Sequence, residues 1–124
     1  MNYLLIFVGG GIGASLRHAV NELCVRLFGL GFPIGTFLIN ITGSLVMGLI
    51  AGYLAFKGAA AQPWRLFVMV GLLGGYTTFS TFSLELMLLI ERGQPGLAAL
   101  YAAASVIPGL AALWLGLVAM RALA

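Results

Sequence analysis

The sequence predicts an all-α integral membrane protein, a single domain of four transmembrane helices with a break in the third. Three observations predict it. Of 124 residues, 62% are hydrophobic and 7% charged, with a mean hydropathy of +1.13, whereas a soluble domain carries about 25% charged residues. At about 20 residues per span, the length holds four helices with short connections and no soluble catalytic module. The apolar pattern also contains one dissonant stretch, Gly-Gly-Tyr-Thr-Thr-Phe-Ser-Thr-Phe-Ser at 74–83. A continuous membrane helix has no need of so many hydroxyls. A break lined with hydrogen-bonding groups and facing a cavity does.

Charge excludes further classes. Six Lys/Arg and three Asp/Glu give a formal +3, too sparse for a nucleic-acid surface, so no nucleic-acid partner is expected and the lipid bilayer is the solvent. Cys24 is the single cysteine and forms no disulfide within the chain. The apolar N-terminal segment lacks a basic leader and reads as the first span rather than a cleaved signal.

Within the one domain, 1–124, the spans are expected at about 3–28, 33–56, 64–91 and 97–122. In the first, Gly9 and Gly13 make a small-xxx-small pair that lets another helix approach closely. Arg17 and His18 interrupt it, with Glu22 and Arg26 following. Arg17 is either a buried residue with a structural task or an arginine reaching for the headgroups.

A turn at 29–33 leads to the second span, with Pro33 suited to a helix start. Thr36, Asn40, Gly43 and Ser44 fall on one helical face. Asn40 offers two donors and an acceptor at membrane depth, either to a functional path or to an interhelical bond. Gly48 and Gly52 form a second close-packing pair. A short loop is expected at 57–62.

Pro63, Trp64 and Arg65 open the third span at the headgroup level. Residues 66–74 read as plain apolar helix, with Gly71 and Gly75 as a third small pair. An unwound turn is expected over 74–78, with helix resuming by Ser80. Carbonyls freed there need partners, and a bound cation is one solution. The resumed half-helix turns its N–H groups toward the same region, which favours an anion, and Thr78, Ser80 or Thr81 can cap it. The alternative is a kinked helix bonded only to itself. Glu85 lies well inside the span. It either tunes access to a polar path or pairs with Arg92 or a loop cation.

A turn at 93–96 precedes the fourth span, where Tyr101, Ser105, Pro108 and Gly109 share a face and Pro108 is expected to kink the helix.

The candidate path residues are thus Thr36, Asn40, Thr78, Ser80, Thr81, Ser83, Tyr101 and Ser105, with Phe79 and Phe82 among them. Nearly all are neutral, and ring edges carry partial positive charge. Such a lining replaces water around a small, strongly hydrated ion without holding it fast. Basic residues fall three on one side of the membrane and two or three on the other, so the positive-inside bias is close to nil. Such a chain inserts both ways, and two copies can pair antiparallel. Four helices are also few for enclosing a pore, which favours a dimer.

Gly-Thr-Phe-Leu-Ile-Asn (35–40), followed by the motif at 74–83, resembles the Fluc (CrcB-type) fluoride channels, and the resemblance covers the whole chain. It implies a dual-topology antiparallel homodimer in the inner membrane of a prokaryote, exporting fluoride passively and selectively over chloride to confer fluoride resistance. By position, Phe79 and Phe82 match paired pore phenylalanines. Asn40, Tyr101, Ser105, Thr36 and Ser80 match polar pore positions, and Thr81 is grouped with them. Gly74 and Thr77 match the break whose backbone carbonyls, from both subunits, hold a structural sodium ion. Arg17 matches a vestibule arginine, and Glu85 an acidic position of open role. Gly109 stands where some members carry Ser, so it adds no hydroxyl.

Three rivals differ in what they require. A small multidrug-type, proton-coupled transporter needs a carboxylate deep in the first span, and Glu22 lies toward its end beside Arg26. A non-conducting membrane subunit would pass no ion when purified. An enzyme needs a nucleophile–base or metal cluster, which one His, one Cys and no paired carboxylates do not supply.

Overall fold

The computed structural model describes residues 1–29, 31–57 and 62–123. Every secondary-structure element among the described residues is helical: α1 (Asn2–Phe28), α2 (Ile34–Lys57), α3 (Gln62–Arg65), a π-helical stretch (Leu66–Leu73), α4 (Gly74–Tyr76), α5 (Ser80–Glu91) and α6 (Pro95–Leu123). Four segments are long and apolar enough to cross a membrane: Asn2–Phe28, Ile34–Leu54, Pro63–Glu91 and Pro95–Leu123. Residues 58–61 of the expected loop, and Leu30 of the expected turn, lie outside the described residues.

Chain reversals fall where the backbone can bend. Gly29 (φ 79°) ends α1 with its N–H on the Val25 carbonyl, and Gly93 (φ 78°) turns the chain after α5. Glycine takes this left-handed region without the Cβ clash that other residues suffer.

The helices associate through glycine. α1 packs along the third span, and α2 along α6. A Cβ on Gly9 would lie 2.6 Å from the Phe67 carbonyl oxygen, and one on Gly13 would collide with that of Leu72. Gly48 meets the Leu113 backbone, while a Cβ on Gly116 would sit 2.6 Å from the Leu45 carbonyl oxygen. Lipid tails are as apolar as leucine, so burial drives little helix pairing within a bilayer. Close backbone packing supplies much of the attraction. Accordingly the buried core is small, built on Phe82, Leu89, Ala98 and Tyr101, while long apolar side chains cover the outside.

Two local expectations need correction. Residues 66–73 are π-helical, not plain α-helix, because hydropathy does not distinguish i→i+4 from i→i+5 bonding. Gly74 is not unwound: it is helical (φ −62°, ψ −39°), and the backbone first turns extended at Thr77 (φ −80°, ψ 156°). Gly75 serves packing instead, since it lies directly against the Gly10 backbone of α1. The last turn closes at Leu73, whose carbonyl accepts both the N–H and the hydroxyl of Thr77, each at 3.0 Å. α6 runs as helix from Pro95 to Leu123 with Pro108 inside it.

Candidate ion pathway

Residues 77–79 lie between α4 and α5, and α2 holds them in place. Asn40 Nδ2 donates to the Thr78 carbonyl at 3.0 Å, and the Thr78 N–H donates to Asn40 Oδ1 at 2.9 Å. One planar amide thus satisfies both polar groups of one residue's backbone, as an adjacent strand would. The Thr81 N–H donates to Thr78 Oγ1 at 3.3 Å, and Thr78 Oγ1 lies 3.4 Å from Ser80 Oγ. Thr78 is therefore the residue whose hydroxyl takes a first-turn donor of α5.

These bonds redirect donors. In an uninterrupted α-helix the Thr78 N–H would serve the Gly74 carbonyl, and the Thr81 N–H would serve that of Thr77. Here both donors go to side-chain oxygens. The Gly75 carbonyl instead accepts from Arg17 Nε at 3.1 Å. Arg17 is half-buried and reaches across from α1, which favours its structural task over headgroup anchoring. The Tyr76 hydroxyl lies 3.0 Å from Thr42 Oγ1 on α2.

Beyond Thr78 a line of aromatic and hydroxyl groups runs through the bundle. Phe79 and Phe82 have centroids 6.0 Å apart with planes tilted by 46°. Phe79 caps α5 in a helical conformation (φ −92°, ψ −36°), and its carbonyl takes the Ser83 N–H at 2.9 Å, so the two rings stand one turn apart on the same helix. Phe82 meets Tyr101 at 5.0 Å, and Phe32 meets the other side of Tyr101 edge-on at 5.3 Å and 83°. The Tyr101 hydroxyl donates to Glu85 Oε1 at 3.2 Å, and the buried Thr36 lies beside this pair. Glu85 is thus partnered by Tyr101 rather than by Arg92, because α5 and α6 pack side by side there. Ser105 Oγ is buried and has no hydrogen-bond partner among the described residues.

Two cavities flank this line. One, of about 380 Å³, is bounded by Asn40, Thr77, Thr78, Phe79, Phe82 and Ser105, with apolar residues of α2 and α6. The other, of about 180 Å³, lies near the α1–α2 connection and is bounded by Asn21, Cys24, Gly35, Glu85 and Arg92, among others. Phe82 walls the first, Glu85 the second, and the fully buried Tyr101 touches both residues.

The structure therefore gathers Thr36, Asn40, Phe82, Glu85, Tyr101 and Ser105 into one connected set. Phe79 joins it at the edge, its ring 79% exposed. Ser80 is exposed, Thr81 is half-buried, and neither lines a cavity described here. Gly74 and Thr77 contribute carbonyls whose usual donors are redirected. Phe32 and Asn21 were not singled out by sequence. Phe32 stands between Gly31 and Pro33 in a turn, and an aromatic ring confined there was the available signal. Asn21 carries none, since its placement depends on Gly35 letting α2 press against it.

Residues 4–117 match the family model described as CrcB-like protein, Camphor Resistance (CrcB). The chain belongs to the CrcB family. Its relatives within that family are similar over almost their full length. It is 69% identical over 121 residues to a protein of Nitrobacter hamburgensis named fluoride-specific ion channel FluC 2, covering 98% of each chain. It is 58% identical over 123 residues to a fluoride-specific ion channel FluC of Rhodopseudomonas palustris, covering 99% of each. A FluC of Methylobacterium nodulans is 53% identical over 121 residues, covering 98% of this chain and 97% of that one. Four apolar helices and this family make it a multi-pass membrane protein.

Proposed function

We infer that the chain is a fluoride-selective ion channel, not an enzyme, and that it lets cytoplasmic fluoride leave a prokaryotic cell across the inner membrane, down its electrochemical gradient, conferring fluoride resistance. The observation that carries this reading is the 69% identity, over 98% of both chains, to a relative named as a fluoride-specific channel.

The geometry supports a passive path. Fluoride is small and strongly hydrated, so entry into a bundle requires donors that replace its water. Ser105 is buried at the larger cavity, its hydroxyl unpartnered among the described residues. Beside it the Phe82 ring supplies a positive edge. Tyr101 and Thr36 continue the line toward Glu85 and the second cavity. Conduction requires binding weak enough for release, and neutral groups dominate the larger cavity.

An antiparallel homodimer completes this reading. Phe79 bounds the larger cavity yet lies open in the single chain, so a second copy would close that wall. The near-even distribution of basic residues permits the opposite insertion. The Gly74 and Thr77 carbonyls would hold a structural sodium ion between the copies. They fit it, because both have lost their helical donors and carbonyl oxygen suits a hard, weakly charged cation. Bound there, sodium would neutralise the dipoles of the two chain segments, while Asn40 and Thr78 hold the carbonyls in position. Arg17, fixed on the Gly75 carbonyl, would place positive charge near the approach to the path.

The test is transport. Purified protein in liposomes should dissipate a fluoride gradient and sustain a chloride gradient. A membrane complex subunit would release neither ion. A proton-coupled multidrug transporter would move an organic cation in exchange for protons.

A further inference from the structure

Helices in lipid end only where something else satisfies their backbone. At residues 74–81 two N–H groups find their substitute acceptors on side chains, those of Asn40 and Thr78. Oδ1 of Asn40 takes the Thr78 N–H that would close a turn on Gly74, and Oγ1 of Thr78 takes the Thr81 N–H that would close one on Thr77. Each side-chain oxygen takes the N–H that lies four residues past the carbonyl it would otherwise serve. The Asn40 amide also donates to the Thr78 carbonyl, so this peptide position is held from both sides.

We propose that Asn40 and Thr78 are positioning residues that expose the Gly74 and Thr77 carbonyls to a monovalent cation by capturing the N–H groups that would otherwise occupy them. This deepens the cation reading above and rests on it. It gives Asn40 two tasks: its side chain borders the larger cavity, and the same amide sets the cation site through the Thr78 backbone. Pore wall and cation site are then mechanically one unit. A staple that merely fastens α2 to the third span would affect stability in any salt. A donor-capturing residue changes how much sodium that stability requires.

The experiment measures thermal and dimer stability of the purified full-length chain against sodium concentration, with ionic strength held constant by N-methylglucamine. For Asn40→Leu, the Thr78 N–H returns to Gly74, and the half-maximal sodium concentration should rise about tenfold, equivalent to about 1.4 kcal/mol. Thr78→Val should raise it about threefold, through the longer of the two bonds. Thr78→Ser, which keeps the hydroxyl, should retain the wild-type value. Wild-type half-saturation in both Asn40→Leu and Thr78→Val overturns the proposal, as does an equal rise in Thr78→Val and Thr78→Ser. If Asn40→Leu does not fold, the Thr78 pair decides alone. A wild-type chain indifferent to sodium overturns the cation reading itself, a result distinct from the others.

Discussion

Ser105 shows how one atom separates a structural from a conducting role. A buried hydroxyl without a partner costs stability, because water has been removed and nothing replaces it. Ser105→Ala should therefore leave the unfolding midpoint in detergent unchanged or slightly raised, while reducing fluoride flux about tenfold in liposomes. A clear loss of stability would mean that the hydroxyl has a structural bond. Phe82 carries the complementary expectation. Phe82→Ile keeps an apolar side chain of moderate size but loses the ring edge, worth about 0.5–1.5 kcal/mol in aromatic contacts, so flux should fall several-fold in a protein that still folds. Unchanged flux would remove the ring from the path. Sequence pattern located these residues because hydroxyls and rings at helical spacings are conspicuous among aliphatic side chains. It did not show that Glu85 would meet Tyr101 or that Phe32 would press on the same ring, because both contacts depend on how the helices lie side by side.

At the level of the element, glycines assigned to close packing behave as the small-xxx-small pattern requires, and those assigned to unwinding do not. Gly9, Gly13, Gly48 and Gly75 each bring a neighbouring backbone nearer than any side chain would permit. Gly13→Val should thus destabilise the contact between α1 and the third span by about 1–3 kcal/mol, read as a lower unfolding midpoint in detergent. Gly11→Val, where no atom lies within 4 Å of an added Cβ, is the control and should cost far less. The two-glycine signal at 74–75 served both readings equally in sequence. What separates them is a partner helix, Gly10 against Gly75, together with Thr77 binding the Leu73 carbonyl twice. The third span was legible as apolar and irregular, but its π-helical bonding was not, since its apolar residues suit either hydrogen-bond register.

For the whole molecule, composition and length sufficed to read four spans, and the motif at 74–83 sufficed to read the family. Charge is spread so thinly that no single face of the chain forms a site. Function depends instead on where neutral groups line up, and Phe79 shows that this line reaches the surface of one copy. Cross-linking in membranes at low protein density should therefore trap a dimer in which the two N-termini lie on opposite sides, as read by accessibility of an added terminal tag. A tag accessible from one side alone would contradict the antiparallel arrangement. The central claim is tested most directly by ion efflux from liposomes containing the purified chain and loaded with both potassium fluoride and potassium chloride, with valinomycin to carry the counter-ion. The account predicts rapid loss of fluoride while chloride is retained; no fluoride efflux, or efflux of the two ions at equal rates, would contradict it.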